Sequence, residues 1–246
     1  VLWSERQDIH ALGIRLLEDK VPYYGAGNEL LREYARWADV PIVNMADDKY
    51  HPCQGLADIM GWAEWLGEGP GRPAYESLRG KNFLLTWASG ALARSWCSVQ
   101  EALIIAWRFG MNVTVARPEG YDLDPQVYAW TQANCETNGA AFRTIADADR
   151  GYDGAHVVYS RNWVTSQAYQ NGQTKKAAEQ QKSASYSGWT TNAARIARKL
   201  RVPRVIFPMG AGVMSALGLL ASPLSFETVR SRRVALVGLS DEALSA

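Results

Sequence analysis

Apolar residues follow two patterns along this chain: continuous runs, which are typical of buried strands, and helical spacing. The clearest example of both lies between residues 40 and 67. The run from Val40 to Asn44 is mostly apolar and β-branched, which predicts a buried parallel strand without a polar face. Pro52 suits the first turn of a helix. Apolar residues then recur at helical spacing as far as Gly67, namely Leu56, Ile59, Met60, Ala63 and Leu66. The stretch is therefore predicted to form a strand, a turn and an amphipathic helix.

Strand and helix patterns alternate through the rest of the chain. Strands are predicted at 82–87, 112–116, 142–145 and 155–159, and helices at 97–109 and from Asp124-Pro125 to about Thr137. This alternation predicts an α/β fold with doubly wound, mostly parallel sheets in two lobes. The Gly- and Pro-rich run 68–73 predicts a hinge, and the polar stretch 164–188 predicts an exposed helix or a mobile loop.

His51 stands where the predicted strand has ended and the predicted helix begins. In open α/β sheets, ligands bind at the carboxyl ends of strands, and the free N–H groups of a helix N-terminus favour anions. His51 and Gln54 are therefore candidate site residues. The alternative is that His51 only caps the helix and that Gln54 is a solvated first-turn residue.

Composition narrows the classes of molecule that this chain is expected to bind. A formal net charge of +1 gives no electrostatic reason to expect binding to nucleic acid or to a membrane surface. No apolar run approaches the roughly 18 residues that a membrane-spanning helix needs. Cys53, Cys97 and Cys135 are widely spaced, so neither a zinc site nor a disulfide framework is predicted. We expect a cytoplasmic protein that acts on small molecules.

The residues Val-Pro-Ile-Val-Asn followed by His-Pro-Cys-Gln and Leu-Ala-Asp resemble the transcarbamylase family, which includes aspartate and ornithine carbamoyltransferases. The resemblance covers about residues 1–192. It implies that His51 polarises the carbonyl of carbamoyl phosphate and that Gln54 holds its amide. The implied reaction transfers the carbamoyl group to the amine of an amino acid or a related small molecule, with no metal or other cofactor.

Four further residues are candidate substrate contacts. Gln100 and Trp163 lie in segments that resemble the amino-acid-binding domain of the family. Most of the ten tryptophans are expected to be packing residues, whereas Trp87, Trp96 and Trp163 are expected to be pocket walls because of where they fall relative to strand ends. Arg94 lies in a loop of small residues after a strand, which is either an anion-binding loop or an ordinary connection. Glu119 could orient an amino group or be a solvated turn residue. Arg15 is interpreted as structural.

The chain departs from the family at both ends. The Ser-Thr-Arg-Thr-Arg phosphate loop is absent, so the chain is either a fragment or has lost that loop. The His-Cys-Leu-Pro motif is also absent, and residues 200–246 instead resemble a hydantoinase or 5-oxoprolinase segment. We therefore predict a partial carbamoyl-phosphate lobe at 1–66, an amino-acid-binding-like lobe at 67–192 and a hydantoinase-like strand–turn–helix segment at 193–246.

Three readings of function remain open at this stage. The first is a carbamoyltransferase, for which the family resemblance implies a homotrimer or a multiple of it. The second is an ATP-dependent ring-opening amidohydrolase component, suggested by the tail. The third is a non-catalytic subunit with the transcarbamylase fold. Nucleotide binding would distinguish the second, and carbamoyl phosphate binding would distinguish the third.

Overall fold

The computed structural model describes residues 9–17, 20–69, 71–90, 94–169 and 176–200. This part of the chain contains six strands and six α-helices, which alternate as far as the fifth strand. In chain order they are β1 Leu12–Leu16, α1 Ala26–Trp37, β2 Ile42–Asp47, α2 Pro52–Leu66, β3 Asn82–Trp87, α3 Cys97–Arg108, β4 Asn112–Ala116, α4 Pro125–Asn138, β5 Phe142–Ile145, β6 Val157–Arg161, α5 Lys176–Ser185 and α6 Ala193–Leu200. The predicted alternation of strands and helices is confirmed.

The strands form two parallel sheets, one in each lobe. In the first lobe β1 pairs with β2, with Leu12 opposite Ile42 and Leu16 opposite Asp47. In the second lobe the order is β5-β4-β3-β6, and every neighbouring pair is parallel. The strand order reverses at β3, because β4 and β5 lie on one side of it and β6 lies on the other. Ligands of doubly wound sheets bind at the carboxyl ends of strands at such a reversal, so the ends of β3 and β6 are where a site is expected.

The core of the second lobe is built around β3 and α3. Phe83, Leu84 and Leu85 of β3 are completely buried, and nearly all of α3 is buried because it is packed between the sheet and α2. Each large apolar side chain buried in this way stabilises the fold by roughly 1.5–3 kcal/mol.

Strand β2 differs from its prediction. It runs from Ile42 to Asp47, and its side chains alternate between partly buried and exposed before two buried residues close it. Val43 and Met45 are 44% and 45% exposed, so the prediction of a strand buried on both faces is wrong. The reason lies in the sheet: only one face of the β1–β2 pair is covered within the described part of the chain.

Two other predictions meet different outcomes. The polar stretch 164–188 is not simply exposed, because Thr165, Glu179 and Ser183 are buried and the Glu179 carboxylate accepts hydrogen bonds from Thr165 N and Oγ1.

The predicted tail strand 204–207 and tail helix 212–221 lie outside the described residues, and the domain boundaries and the hinge remain predictions. Within the described residues, no helix is long and apolar enough to cross a membrane.

Candidate active site

A tight turn after β2 sets the position of His51. The Asp47 carboxylate accepts backbone hydrogen bonds from Lys49 N at 2.7 Å and Tyr50 N at 2.6 Å, and Asp47 N donates to Tyr50 O at 2.9 Å. Its other oxygen accepts from the amides of Asn28 and Asn44. Asp47 is fully buried, and these hydrogen bonds take the place of the water molecules that its carboxylate loses on burial. The turn that presents His51 is thus fixed by a saturated carboxylate.

The neighbouring Asp48 ties this turn to α1. Its carboxylate accepts backbone hydrogen bonds from Gly25 and Asn28 at the start of that helix, where N–H groups lack intrahelical partners. The approach is close: a Cβ on Gly27 would lie 2.8 Å from both Asp48 Oδ1 and Leu16 O, which only glycine avoids. Burial raises the pKa of Asp48, although the backbone N–H groups oppose that shift.

His51 is the N-cap residue of α2. Its Nδ1 accepts from Gln54 N at 3.3 Å, so the neutral ring carries its proton on Nε2. Nε2 lies 3.3 Å from Arg15 Nη1, across the parallel pair of β1 and β2. Burial lowers the pKa of His51, and the charge of Arg15 lowers it further. Because the guanidinium can only donate, a ring protonated on Nε2 cannot hydrogen-bond to Arg15 directly, and an acceptor oxygen beside both nitrogens would satisfy the two N–H groups at once.

The side chain of Gln54 is oriented by Asp58, one turn further along α2. Gln54 Nε2 donates to Asp58 Oδ1 at 2.9 Å, which leaves the Gln54 carbonyl oxygen with no hydrogen-bond partner among the described residues. Burial raises the pKa of Asp58, and its Oδ2 is buried without a partner. The free Gln54 oxygen can accept from an amide nitrogen, as the family resemblance implies for the carbamoyl group.

The second lobe contributes Arg161 at the end of β6, where the strand order reverses. Its charge acts to lower the pKa of His51 and also that of Asp58, where burial has the larger and opposite effect. Its Nε is buried without a partner. Arg15 and Arg161 therefore give the site two positive charges, one from each lobe, and the arrangement favours an anion.

Helices α2 and α3 hold the two lobes at close range beside His51. The Glu101 carboxylate of α3 accepts from His51 N at 3.3 Å, and burial raises the pKa of Glu101. A Cβ on Gly55 would lie 2.7 Å from Glu101 Cγ, so glycine is required for this helix contact. His51 is thereby held by both lobes, by its own helix on one side and by Glu101 on the other.

The predicted site residues are not all brought together. His51 and Gln54 share the cleft, but Gln100 is completely buried and bridges the lobes: its Nε2 donates to Lys49 O and Tyr24 Oη, and its Oε1 accepts from Asp124 N. The predicted substrate contact of Gln100 would require these bonds to break. The sequence pattern does not reveal this bridging role, because it depends on a turn 51 residues away.

The other three predicted contacts lie in different surroundings. Trp163 is 1% exposed and its indole donates to Tyr121 O at 2.9 Å, which makes it a core residue that a substrate could reach only after rearrangement. Glu119 is exposed in a turn, and Arg94 is exposed while its carbonyl accepts from Val164 N. Residues 91–93 of the predicted anion loop lie outside the described residues. The substrate-binding roles of all three remain predictions.

Two functional candidates were not singled out by the sequence pattern. The interpretation of Arg15 as structural does not account for its contact with His51, and Arg161 lies two residues beyond the strand predicted at 155–159. Arg15 lies next to the last residue of β1, which pairs with β2, and Arg161 is the last residue of β6, which pairs with β3. Strand pairing is the signal that would have found them, and it is a tertiary property.

Comparison with known proteins shows which proteins this chain is similar to. The family described as aspartate/ornithine carbamoyltransferase, Asp/Orn binding domain, matches residues 91–207. YgeW of Escherichia coli (strain K12) is 36% identical over 166 residues, which are 63% of this chain and 39% of that protein. N-acetylornithine carbamoyltransferase of Xylella fastidiosa (strain 9a5c) is 33% identical over 157 residues, 63% of this chain and 44% of that protein.

Solved structures give the same result. A crystal structure of N-acetyl-L-ornithine transcarbamylase, as a K302E mutant complexed with PALAO, has a TM-score of 0.67 and 27% identity, and it covers 80% of this chain and 56% of that chain. The homologues of this chain are carbamoyltransferases, so the resemblance predicted from the sequence is confirmed. The chain spans about two fifths of the length of the curated relatives that it matches. The family match extends to residue 207, past the predicted limit at 192, and the hydantoinase resemblance of 200–246 is not shown.

Proposed function

We propose that this chain transfers a carbamoyl group from carbamoyl phosphate to the amine of an amino acid or a related small molecule. The observation that carries the proposal is the set of groups around His51. Two donors, His51 Nε2 and Arg15 Nη1, lie 3.3 Å apart, and the Gln54 carbonyl oxygen beside them is free to accept. A carbamoyl group has one acceptor oxygen and one NH2 donor, so it matches both halves of this arrangement.

The chemistry follows from these positions. The amine attacks the carbamoyl carbon, the bond from that carbon to the phosphate oxygen breaks, phosphate leaves and the amine loses its proton. Negative charge builds on the carbamoyl oxygen as the tetrahedral intermediate forms. His51 and Arg15 donate to that oxygen, and Gln54 accepts from the carbamoyl NH2, so catalysis rests on polarisation and positioning without a covalent enzyme intermediate.

Protonation favours the same assignment. Because burial and Arg15 lower the pKa of His51, the ring stays neutral near pH 7 and keeps its Nε2 proton for donation. Arg15 and Arg161 supply positive charge for the phosphate. The reaction class needs no metal, and among the described residues no group of three or more His, Cys, Asp and Glu side chains is arranged to hold one.

The acceptor amine is best sought among amino acids and their derivatives. N-acetylornithine carbamoyltransferases are among the relatives, and one solved neighbour is complexed with carbamyl phosphate and N-succinyl-L-norvaline. N-acetylornithine and ornithine are therefore the first acceptors to test for this chain. The ring-opening alternative rests on residues 200–246 and has no support from the described site.

Transfer of isotope from labelled carbamoyl phosphate to a panel of these amines tests the proposal. We expect labelled product with wild-type protein and a loss of about 10²–10³-fold in rate for His51→Ala, the typical effect of removing one donor to a developing oxyanion. His10→Ala is the matched control, because His10 is exposed and remote in sequence. Carbamoyl phosphate binding without transfer to any amine would instead favour the non-catalytic reading.

Assembly and location form part of the proposal. We infer a homotrimer or a multiple of it, supported by exposed aromatic side chains on the first lobe: Trp37 of α1 and Trp65 of α2 are 62% and 78% exposed. A cytoplasmic location is supported by the thiols of Cys53, Cys97 and Cys135, which form no disulfide with one another in the described part of the chain. Light scattering that gives a monomer at micromolar concentration would contradict the assembly, and cell fractionation tests the location.

A further inference from the structure

A second cleft lies between α1, the turn after β2, α3 and α4. Its volume is about 580 Å³, within the range of roughly 300–1,000 Å³ typical of small-molecule sites. The side chains that matter for its chemistry are Arg32, Tyr50, Glu101, Trp107, Arg108 and Trp130. None of Arg15, His51, Gln54 and Arg161 lines it, so it is separate from the candidate active site.

Positive charge dominates the wall of this cleft. Neither Arg32 nor Arg108 forms an ion pair with any carboxylate in the described ranges. Arg32 Nε donates to Asn28 Oδ1 at 3.0 Å, which fixes the side chain and leaves its two terminal nitrogens available. The carboxyl of Glu101 is the single acidic group of the cleft wall, and it is engaged with His51 N. The charge of Arg108 acts to lower the pKa of Glu101 and is partly offset by it, but two guanidinium groups beside one carboxyl still leave this wall with positive charge that favours an anionic ligand.

Aromatic surface lies beside these charges. Trp130 of α4 is 42% exposed, so a large part of its ring is available for contact with a ligand. Trp107 stacks near Arg108, with the guanidinium carbon 5.3 Å from the ring centroid. Trp107 Nε1 and Asn44 Oδ1, a donor and an acceptor on the same wall, are buried without hydrogen-bond partners. Buried polar atoms without partners are rare in folded proteins and call for an explanation.

The cleft is also connected to His51. Tyr50 and Pro52, which precede and follow the histidine, both line it. Glu101 lines it as well and accepts the hydrogen bond of His51 N at 3.3 Å. A ligand in this cleft would therefore contact the three residues that hold the histidine backbone, without entering the space between Arg15 and His51.

We propose that this cleft binds a small anion that carries a planar aromatic ring, and that its occupancy changes the environment of His51 through Glu101 and Tyr50. The anionic group pairs with Arg32 and Arg108, and the ring lies against Trp130 and Trp107. The site goes beyond carbamoyl transfer, because neither the binding nor its link to His51 depends on which reaction the chain carries out.

The first test uses three probes on the full chain and isothermal titration calorimetry. Indole-3-acetate carries both the ring and the charge, indole-3-acetamide keeps the ring without the charge, and acetate keeps the charge without the ring. We expect indole-3-acetate to bind at least about ten-fold more tightly than either of the others, since loss of one charge-assisted contact costs about that factor. Equal binding of the amide and the acid would overturn the assignment to an anion, and no binding of indole-3-acetate would overturn the site.

Variants locate the binding. Arg32→Gln and Trp130→Ala change exposed side chains of the cleft, and each is expected to weaken indole-3-acetate binding by about ten-fold or more. Arg36→Gln is the matched control, because Arg36 lies one turn further along α1 and does not line the cleft. Unchanged affinity in both cleft variants, or an equal loss in Arg36→Gln, would place the ligand elsewhere.

The link to His51 has its own measurement. The chain contains three histidines, so their ring resonances can be assigned by substitution and followed by NMR. Indole-3-acetate is expected to move the His51 ring resonances of the wild-type protein and to leave those of His156 in place. A shift of the His51 pKa with ligand requires that ligand affinity also depend on pH by the same factor. Saturating ligand that leaves His51 unmoved would refute the link while the binding data stand by themselves.

Discussion

Five of the six residues of β3 in the second lobe are buried, whereas β2 in the first lobe leaves Val43 and Met45 nearly half exposed. The same contrast holds for the helices. α3 is buried along almost its whole length, but α2 exposes Leu56, Met60 and Trp65. The second lobe is thus stabilised by an apolar core, and the described first lobe has much less apolar burial to rely on.

The first lobe compensates with polar interactions at the point that matters for chemistry. Asp47 and Asp48 are both completely buried, and between them they accept backbone hydrogen bonds from residues in α1 and in the turn before His51. Such buried carboxylates are stabilising only while every acceptor is used. The comparison shows that hydrogen bonds fix the position of His51, whereas the apolar core of the second lobe supplies most of the burial that stabilises the chain.

Equivalent leucine truncations in the two lobes should give the largest difference. Leu85→Ala in β3 removes a fully buried side chain and is expected to lower the free energy of unfolding by about 2–5 kcal/mol. Leu56→Ala in α2 removes one that is 57% exposed and should change it by no more than about 0.5 kcal/mol. Urea denaturation measures both. Equal losses of unfolding free energy would mean that Leu56 is buried in solution, and would contradict the difference in burial between the two lobes.

Loss of one acceptor at the start of α1 should have an intermediate effect. Asp48→Asn replaces one carboxylate oxygen by an NH2 group that cannot accept from Gly25 or Asn28, so the free energy of unfolding should fall by about 1–3 kcal/mol. Asp39→Asn is the control, since Asp39 is exposed. A protein as stable as wild type after Asp48→Asn would show that the polar bracing of the first lobe is dispensable.

The smallest expected effect is on titration. The pKa of His51 should lie below its usual value of about 6.5 and should rise in Arg15→Gln, which removes a nearby positive charge. Because the unfolded chain binds this proton more readily, the contribution of His51 to stability is complete above about pH 6.5 and is lost as the pH falls through its lower folded pKa. NMR titration of the ring measures the pKa in both proteins. A pKa at or above 6.5 in wild type would contradict the burial and charge described for the site.

Local signals allowed part of this structure to be predicted. The Asp124-Pro125 cap marks the start of a helix and the apolar run 82–87 marks a strand, and α4 and β3 form at those positions. The position of His51 was predictable for the same reason, since a proline at the first helical position marks the start of α2. These features depend on neighbours in the chain.

Features that depend on distant residues escaped prediction. The exposure of β2 reflects how many strands and helices cover it, which a run of apolar residues does not encode. Arg15 and Arg161 reach the site only because parallel pairing aligns their strand ends, and Gln100 is committed to Tyr24, Lys49 and Asp124 through packing of the two lobes. In each case the sequence shows that the side chain is charged or polar, but it does not show which part of the fold that side chain contacts.

Binding of carbamoyl phosphate to the wild-type chain and to His51→Ala tests the central claim most directly. Calorimetric titration should show binding to wild type that weakens by about ten-fold or more in His51→Ala, because one donor to the carbamoyl oxygen is lost, while His10→Ala binds like wild type. Equal affinity of wild type and His51→Ala, or no binding of carbamoyl phosphate by the wild-type chain, would contradict the assignment of this cleft as the carbamoyl site.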